Sequence, residues 1–248
     1  MISLHAFSAN QATSTALSNL APAAGDASIA SSGNLMFIGP LNNLLGAYAL
    51  GATLTRAQLQ SPTLLNLAPY DVTPVDEAAL PTDNTPLTLQ LGSPMSLTTN
   101  EGLEAYVINA DTENNTVLVF LSDGPVSPVN GKIFHARGTI TTGTGGVTWT
   151  NAAITLSSNL PNGTYNVVGM RVEGAHTYAA RLVFKGSSQF RPGVITVSDN
   201  DAKDVPVFRN GGMGILGNFD SRNIPSVDVL NDGTSETAVI ILDLIKTS

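Results

Sequence analysis

The chain has 248 residues with 11 Lys+Arg against 19 Asp+Glu, a formal charge of −8, 12% charged and 42% hydrophobic residues, and no cysteine. The missing cysteine excludes a disulfide scaffold, a zinc–thiolate centre and a cysteine nucleophile; the acidic balance excludes a general nucleic-acid binder, and the hydrophobic fraction an intrinsically disordered chain. The length suits one large all-β domain or two small ones, and a charge fraction about half the usual 25% suits a surface that lies against other copies rather than a free monomer.

In chain order, Met1–Phe7 carries no Lys or Arg and no continuous apolar run, so no secretory leader is expected. The first 55 residues hold a single carboxylate, Asp26, and the first basic residue is Arg56. Residues 8–33 are mainly Ser, Ala, Asn, Thr and Gly, the composition of a flexible or extended arm, here an uncharged strap for neighbours. The uncharged stretch from Leu35 to Leu54 is interrupted by Gly39-Pro40, Asn42-Asn43, Gly46 and Gly51, which speaks against a membrane span. Within it Leu41 to Leu50 reads as a short helix, and Thr55 to Gln60 as another, stopped at Ser61-Pro62. Residues 61–75 thread an extended path through three prolines. Residues 1–84 are therefore expected to be an N-terminal arm with short helical turns, mostly irregular, packed on a β-core of residues 85–248.

From residue 85 onward, strands and turns alternate. Leu87 to Leu91 alternates apolar and polar; Leu103 to Ala110 and Thr116 to Leu121 flank the turn-rich Asp111–Asn115 as a hairpin. Further strands are predicted at Lys132–Thr141, Val147–Thr150, Ala153–Ser157, Thr164–Val172, Thr177–Phe184, Gly193–Val197, Val205–Phe208, Val227–Leu230 and Thr237–Ile245. The last is apolar on both faces, as a central, doubly covered strand should be. Short strands separated by Gly, Pro and Asn turns indicate an antiparallel β-sandwich. About a dozen candidates favour one eight-strand roll with additions over two complete rolls, which would need sixteen.

Motifs with chemical meaning were weighed in turn. Gly212-Met-Gly-Ile-Leu-Gly217 matches a dinucleotide fingerprint, but Asn218–Pro225 cannot open the helix that fingerprint requires, so a glycine-rich loop at a subunit junction, where backbone must approach closely, is the better reading. Asp199, Asp201 and Asp204 concentrate carboxylates as an inter-subunit calcium site would. Lys203, Asp204 and Asn210 stand where an EF-hand needs a ligand, a glycine and a bidentate Glu, so an EF-hand is excluded and a solvated acidic turn is the simpler reading. His5, His135 and His176 lack metal-ligand spacing, and Glu101 with Glu104 sits at a strand entrance where solvated acids are common. No catalytic residues and no cofactor are assigned.

The segment Leu160-Pro-Asn-Gly-Thr-Tyr-Asn-Val-Val-Gly-Met-Arg171, then Ala179-Ala-Arg-Leu-Val-Phe184 and the Arg191-Pro-Gly-Val194 corner, together with Thr98–Tyr106 and the Pro-punctuated Ser61–Val75 run, resembles the jelly-roll coat proteins of small tailless icosahedral bacteriophages. The resemblance covers roughly residues 60–200. It implies an eight-strand jelly roll of two Greek keys, a subunit that self-assembles into a virion shell, and synthesis in the host cytoplasm. It implies homo-oligomeric contacts, with other virion proteins or an internal membrane as further partners, and no sequence-specific nucleic-acid binding. Arg137, Arg171, Arg181 and Arg191 lie in or beside predicted strands and are the candidate interface residues, able to grip carboxylates of the same or an adjacent subunit. A phage receptor-binding or lectin-like β-sandwich module is the alternative, and an enzyme on a β-sandwich a third.

Overall fold

A computed structural model describes residues 1–67, 69–75, 89–186, 190–196 and 206–248. The chain is all-β and forms two compact units, Leu4–Pro125, and Val126–Ser248 together with Met1–Ser3. The boundary expected near residue 85 lies outside the described residues.

The first unit is built from β1 (Ile2–Gln11), β2 (Ser14–Leu20), β3 (Ala30–Ser32), β4 (Leu35–Phe37), β5 (Asn43–Leu50), β6 (Leu54–Gln60), the short helix α1 (Pro62–Leu67), β7 (Tyr70–Val72), β8 (Pro74–Val75), β9 (Met95–Ser96), β10 (Gly102–Asn109) and β11 (Glu113–Ser122). One sheet runs β1-β11-β5, with β8 and β9 both on the far side of β5; the other runs β3-β4-β10-β6-β7, with β2 also pairing β10. Two expectations are corrected here. The stretch from Leu41 to Leu50 is strand β5, not a helix, and Thr55–Gln60 lies within strand β6. A short continuous apolar run has no helical or strand signature of its own. Pairing with β11 on one side and with β8 and β9 on the other makes it a strand, and seven of its eight residues are buried. The N-terminal residues are likewise not an irregular arm: β1 and β2 are paired strands, and Ile2, Leu4, Ala6 and Phe7 are buried. By contrast β10 follows its sequence alternation, with Leu103, Ala105 and Val107 in the core and Glu104, Tyr106 and Ile108 less buried between them.

The second unit comprises β12 (Phe134–Thr141), β13 (Thr150–Ala153), β14 (Thr155–Leu156), β15 (Thr164–Glu173), β16 (Thr177–Val183), β17 (Gly193–Ile195), a 3₁₀ turn (Pro206–Phe208), β18 (Gly217–Asp220), β19 (Ser226–Asn231) and β20 (Thr237–Lys246). Its sheets run β14-β12-β20-β15-β18 and β13-β19-β16-β17, all antiparallel. The strand expected at Val205–Phe208 is the 3₁₀ turn over its described part, and strand β18 occupies the end of the glycine-rich motif. As its composition requires, β20 is central, between β12 and β15, with Ile240, Leu242 and Leu244 wholly buried.

Number eight strands of the second unit in order (β12, β13, β15, β16, β17, β18, β19, β20). First then pairs with eighth, second with seventh, third with sixth and fourth with fifth. In the first unit β1, β2, β5, β6, β7, β9, β10 and β11 repeat that scheme: β1 beside β11, β2 with β10, β5 with β9 and β6 with β7. In both units the third strand also pairs the eighth and the fourth the seventh.

Candidate functional site

Several charged side chains of the second unit lie on the outward face of the β12–β20–β15 sheet. Register places His135, Asp243 and Gly169 in one row across the three strands and Arg137, Ile241 and Arg171 in the next. Alternation along β12 turns Phe134, Ala136 and Ile140 inward, so the row residues face out. Asp243 nevertheless has no exposure, because the turn after Phe208 folds over it. Arg209 donates to its carboxylate from Nε (2.8 and 3.0 Å) and Nη2 (2.8 Å), the Asn210 backbone N–H donates at 2.7 Å, and His135 Nδ1 stands 2.8 Å away. Burial pushes the Asp243 carboxyl pKa up, but hydrogen bonds from Arg209, Asn210 and His135 and the Arg209 charge outweigh it and hold it below the ordinary value. Gly169 makes this possible: a β-bulge at Val168 brings its backbone so close that a Cβ would overlap Asp243 Oδ2 and meet the Phe208 carbonyl at 2.8 Å.

The four arginines singled out from sequence have different surroundings. Arg171 pairs with Glu173 on its own strand. Arg181 is fully buried, its guanidinium carbon 4.0 Å from the Trp149 ring centroid and its Nε and Nη2 each 3.2 Å from Asp228 Oδ2, the residue directly opposite on β19. Arg191 approaches the same carboxylate at 3.7 Å, and Asn151 donates to its other oxygen at 2.8 Å. No local pattern marks Asp228 as the residue that gathers two guanidiniums. A lone carboxylate inside the apolar Val227–Leu230 or Val239–Ile245 run is the only available signal, since a charge taken from water needs a partner. Arg137 is exposed on β12 and has no carboxylate partner among the described residues.

The remaining sequence candidates serve the backbone. Glu101 does not pair with Glu104. It is 7% exposed and accepts from the Thr63 backbone N–H (2.5 Å), the Thr63 hydroxyl (2.7 Å) and the Thr98 N–H (2.7 Å), tying down the start of α1, while Glu104 accepts from Asn19 at 2.9 Å. Burial alone would raise the Glu101 pKa; the Ser61 and Thr63 hydroxyls and the two backbone donors lower it. His5 Nδ1 meets Asp26 at 2.8 Å, and His176 Nδ1 meets Asp232 at 2.7 Å beside Glu236, which fixes the Ala175–Thr177 turn. In the glycine-rich segment, Gly211 at φ +83° packs so tightly on the Val129 carbonyl that no Cβ fits, and Val129 N–H donates to Gly211 O at 2.9 Å. This close approach lies within the chain, one residue before the Gly212–Gly217 motif. Asp199, Asp201 and Asp204 lie outside the described residues, and no cluster of three His, Cys, Asp or Glu able to hold a metal occurs among the described ones. No helix among the described residues is long and apolar enough to cross a membrane.

Beside Arg137, β12 and residues 157–161 enclose a groove of about 300 Å³. What this face presents is one exposed guanidinium, the half-exposed His135 ring and the side chains of Ser157, Ser158 and Asn159. That set suits holding an anion, because a guanidinium and neutral donors together satisfy a carboxylate. No family model matches the chain, and no curated protein or solved structure matches it.

Proposed function

We propose that the chain is a self-assembling virion coat subunit and that each of its two units is a jelly roll. The observation that carries this reading is the strand pairing, first with eighth through fourth with fifth, repeated in two consecutive units. A long hairpin of four strand pairs folded over into two facing sheets is the jelly-roll scheme, in which two Greek keys share one core. On this reading the N-terminal residues supply the first strands of a roll, and the sixteen strands a double roll needs are present, where the sequence suggested too few.

Fold alone does not choose among shell proteins, lectins and cupins, which share this architecture. The sparsely charged composition supports the shell reading. Only 12% of residues are charged, and some of that charge is paired inside the chain, on Asp243 with Arg209, Asp228 with Arg181, and Arg171 with Glu173. A sparsely charged exterior gives weak repulsion between copies and suits burial of the same patches in a closed symmetric assembly.

Size-exclusion chromatography with light scattering, followed by negative-stain microscopy, tests the proposal across protein and salt concentration. Uniform closed particles are expected. A monodisperse 25.7 kDa monomer under every condition would refute it.

A further inference from the structure

Charge on the outward face of the β12–β20–β15 sheet does not balance. Arg209 is matched by Asp243 and Arg171 by Glu173, but Arg137 has no carboxylate among the described residues. It is not an arginine lying loose on a convex surface. Its backbone is fixed on both sides, in register with Ile241 of β20 and accepting the Ser157 N–H at 2.9 Å.

The chain after Ser157 then departs from β12. Strand β14 pairs with β12 at Gly138 and Thr139 and the Ser157 N–H bonds to the Arg137 carbonyl, beyond which the Phe134–Arg137 portion of β12 borders an open groove. Ser157, Ser158, Asn159 and Leu160 also line it. His135, two residues back and on the same face, is anchored through Nδ1 by Asp243, which leaves its Nε2 edge as the second polar group beside Arg137. An exposed guanidinium, an imidazole edge and the hydroxyl- and amide-bearing residues Ser157, Ser158 and Asn159 around one groove are the groups a carboxylate receptor uses.

Charge complementarity identifies the occupant. The chain carries 19 carboxylates against 11 cations, so each copy presents excess carboxylate to any neighbour. We propose that Arg137 and the groove beside it form a contact point that receives an Asp or Glu carboxylate from a second copy of the chain. This rests on the reading of the protein as a self-assembling subunit and names one of its contacts.

The test has two parts. First, wild type, Arg137→Ala and Arg137→Glu are compared for the protein concentration at which particles form, with thermal unfolding of the dissociated subunit as a folding control. Arg137→Glu places like charge against the incoming carboxylate and should raise that concentration about tenfold or more, with Arg137→Ala in between and the melting curves unchanged. Second, Arg137→Lys particles are assembled from equal parts ¹⁴N- and ¹⁵N-labelled protein and treated with a zero-length carbodiimide. This reagent joins the amine introduced at position 137 to a carboxylate touching it as an amide, and the carbodiimide takes up the elements of water and leaves as its urea. A cross-linked peptide pair carrying one label of each kind is expected, and its sequence names the carboxylate.

Arg137→Glu assembling within twofold of wild type, or cross-links confined to peptides of one label, would overturn the contact while leaving the coat-subunit reading standing. Wild type that never forms particles would overturn both.

Discussion

Replacing Asp243 with asparagine keeps the shape of the side chain and removes its charge. In the wild type one carboxylate serves two Arg209 nitrogens, the Asn210 N–H and His135 Nδ1, all within 2.7–3.0 Å. Asparagine offers one acceptor oxygen and turns an NH₂ toward the remaining donors, so at least one donor pair is left facing another donor. Asp243 has no exposure and Arg209 is only 8% exposed, so the guanidinium cannot recover its loss from water. Breaking one side of such a buried pair costs about 3–5 kcal/mol. For a cooperative unit of roughly 125 residues, with an unfolding entropy of about 2.1 cal/mol/K per residue, that corresponds to a fall in Tm of about 10–20 °C. Calorimetry at pH 7 should show it in the transition of the second unit. The double variant Asp243→Leu with Arg209→Met, which removes both charges, should melt above Asp243→Asn. The pH dependence has a fixed sign. Because the folded carboxyl titrates below its ordinary value, its stabilisation is complete above the unfolded pKa of about 3.9 and disappears as pH falls through the folded value. The gap between wild type and Asp243→Asn should therefore narrow below about pH 4. A loss under about 1 kcal/mol at neutral pH, or a double variant no better than the single, would refute the account of Asp243 as a buried, charge-compensated clamp.

Glu101→Gln removes the charge that collects the Thr63 and Thr98 donors at the start of α1, and should lower stability in urea by about 1–3 kcal/mol, an effect that fades in acid as the wild-type carboxylate protonates; no change in the urea midpoint would contradict it. Gly211→Ala forces a side chain into the left-handed region and against the Val129 carbonyl, and should cut soluble yield and cost at least about 1–3 kcal/mol, whereas Gly124→Ala, where a Cβ meets nothing within 4 Å, should be tolerated. Equal behaviour of the two would remove the argument for close packing at that loop. Asp220, gripped by Arg222 through side chain and backbone, should show a carboxyl NMR titration midpoint at about 2. Arg222→Ala should move it back toward the ordinary value; an unmoved midpoint would mean that the pair does not form in solution.

Strand character was legible wherever one face meets water, because alternation then writes burial into the sequence. Gly102–Asn109 and Phe134–Thr141 were read nearly to their ends. The Thr237–Lys246 strand announced its central place by being apolar on both sides. Of the candidate site, the exposed position of Arg137 followed from the same alternation, and its lack of a carboxylate did not.

Tertiary structure decided the rest, for reasons that lie far apart along the chain. An apolar run such as Asn43–Leu50 carries no period to tell helix from strand, and only β11 on one side and β8 and β9 on the other make it a strand. The Ser- and Ala-rich N-terminus has the composition of a loose arm, yet pairing with β10 and β11, about a hundred residues later, makes it sheet. Asp228 and Asp243 meet arginines 47 and 34 residues away, across strands whose register no local pattern specifies. Composition and alternation determined that this chain is an all-β protein with a sparsely charged surface. Long-range pairing decided that it is two units with one strand scheme, and which of its few charges remain outside.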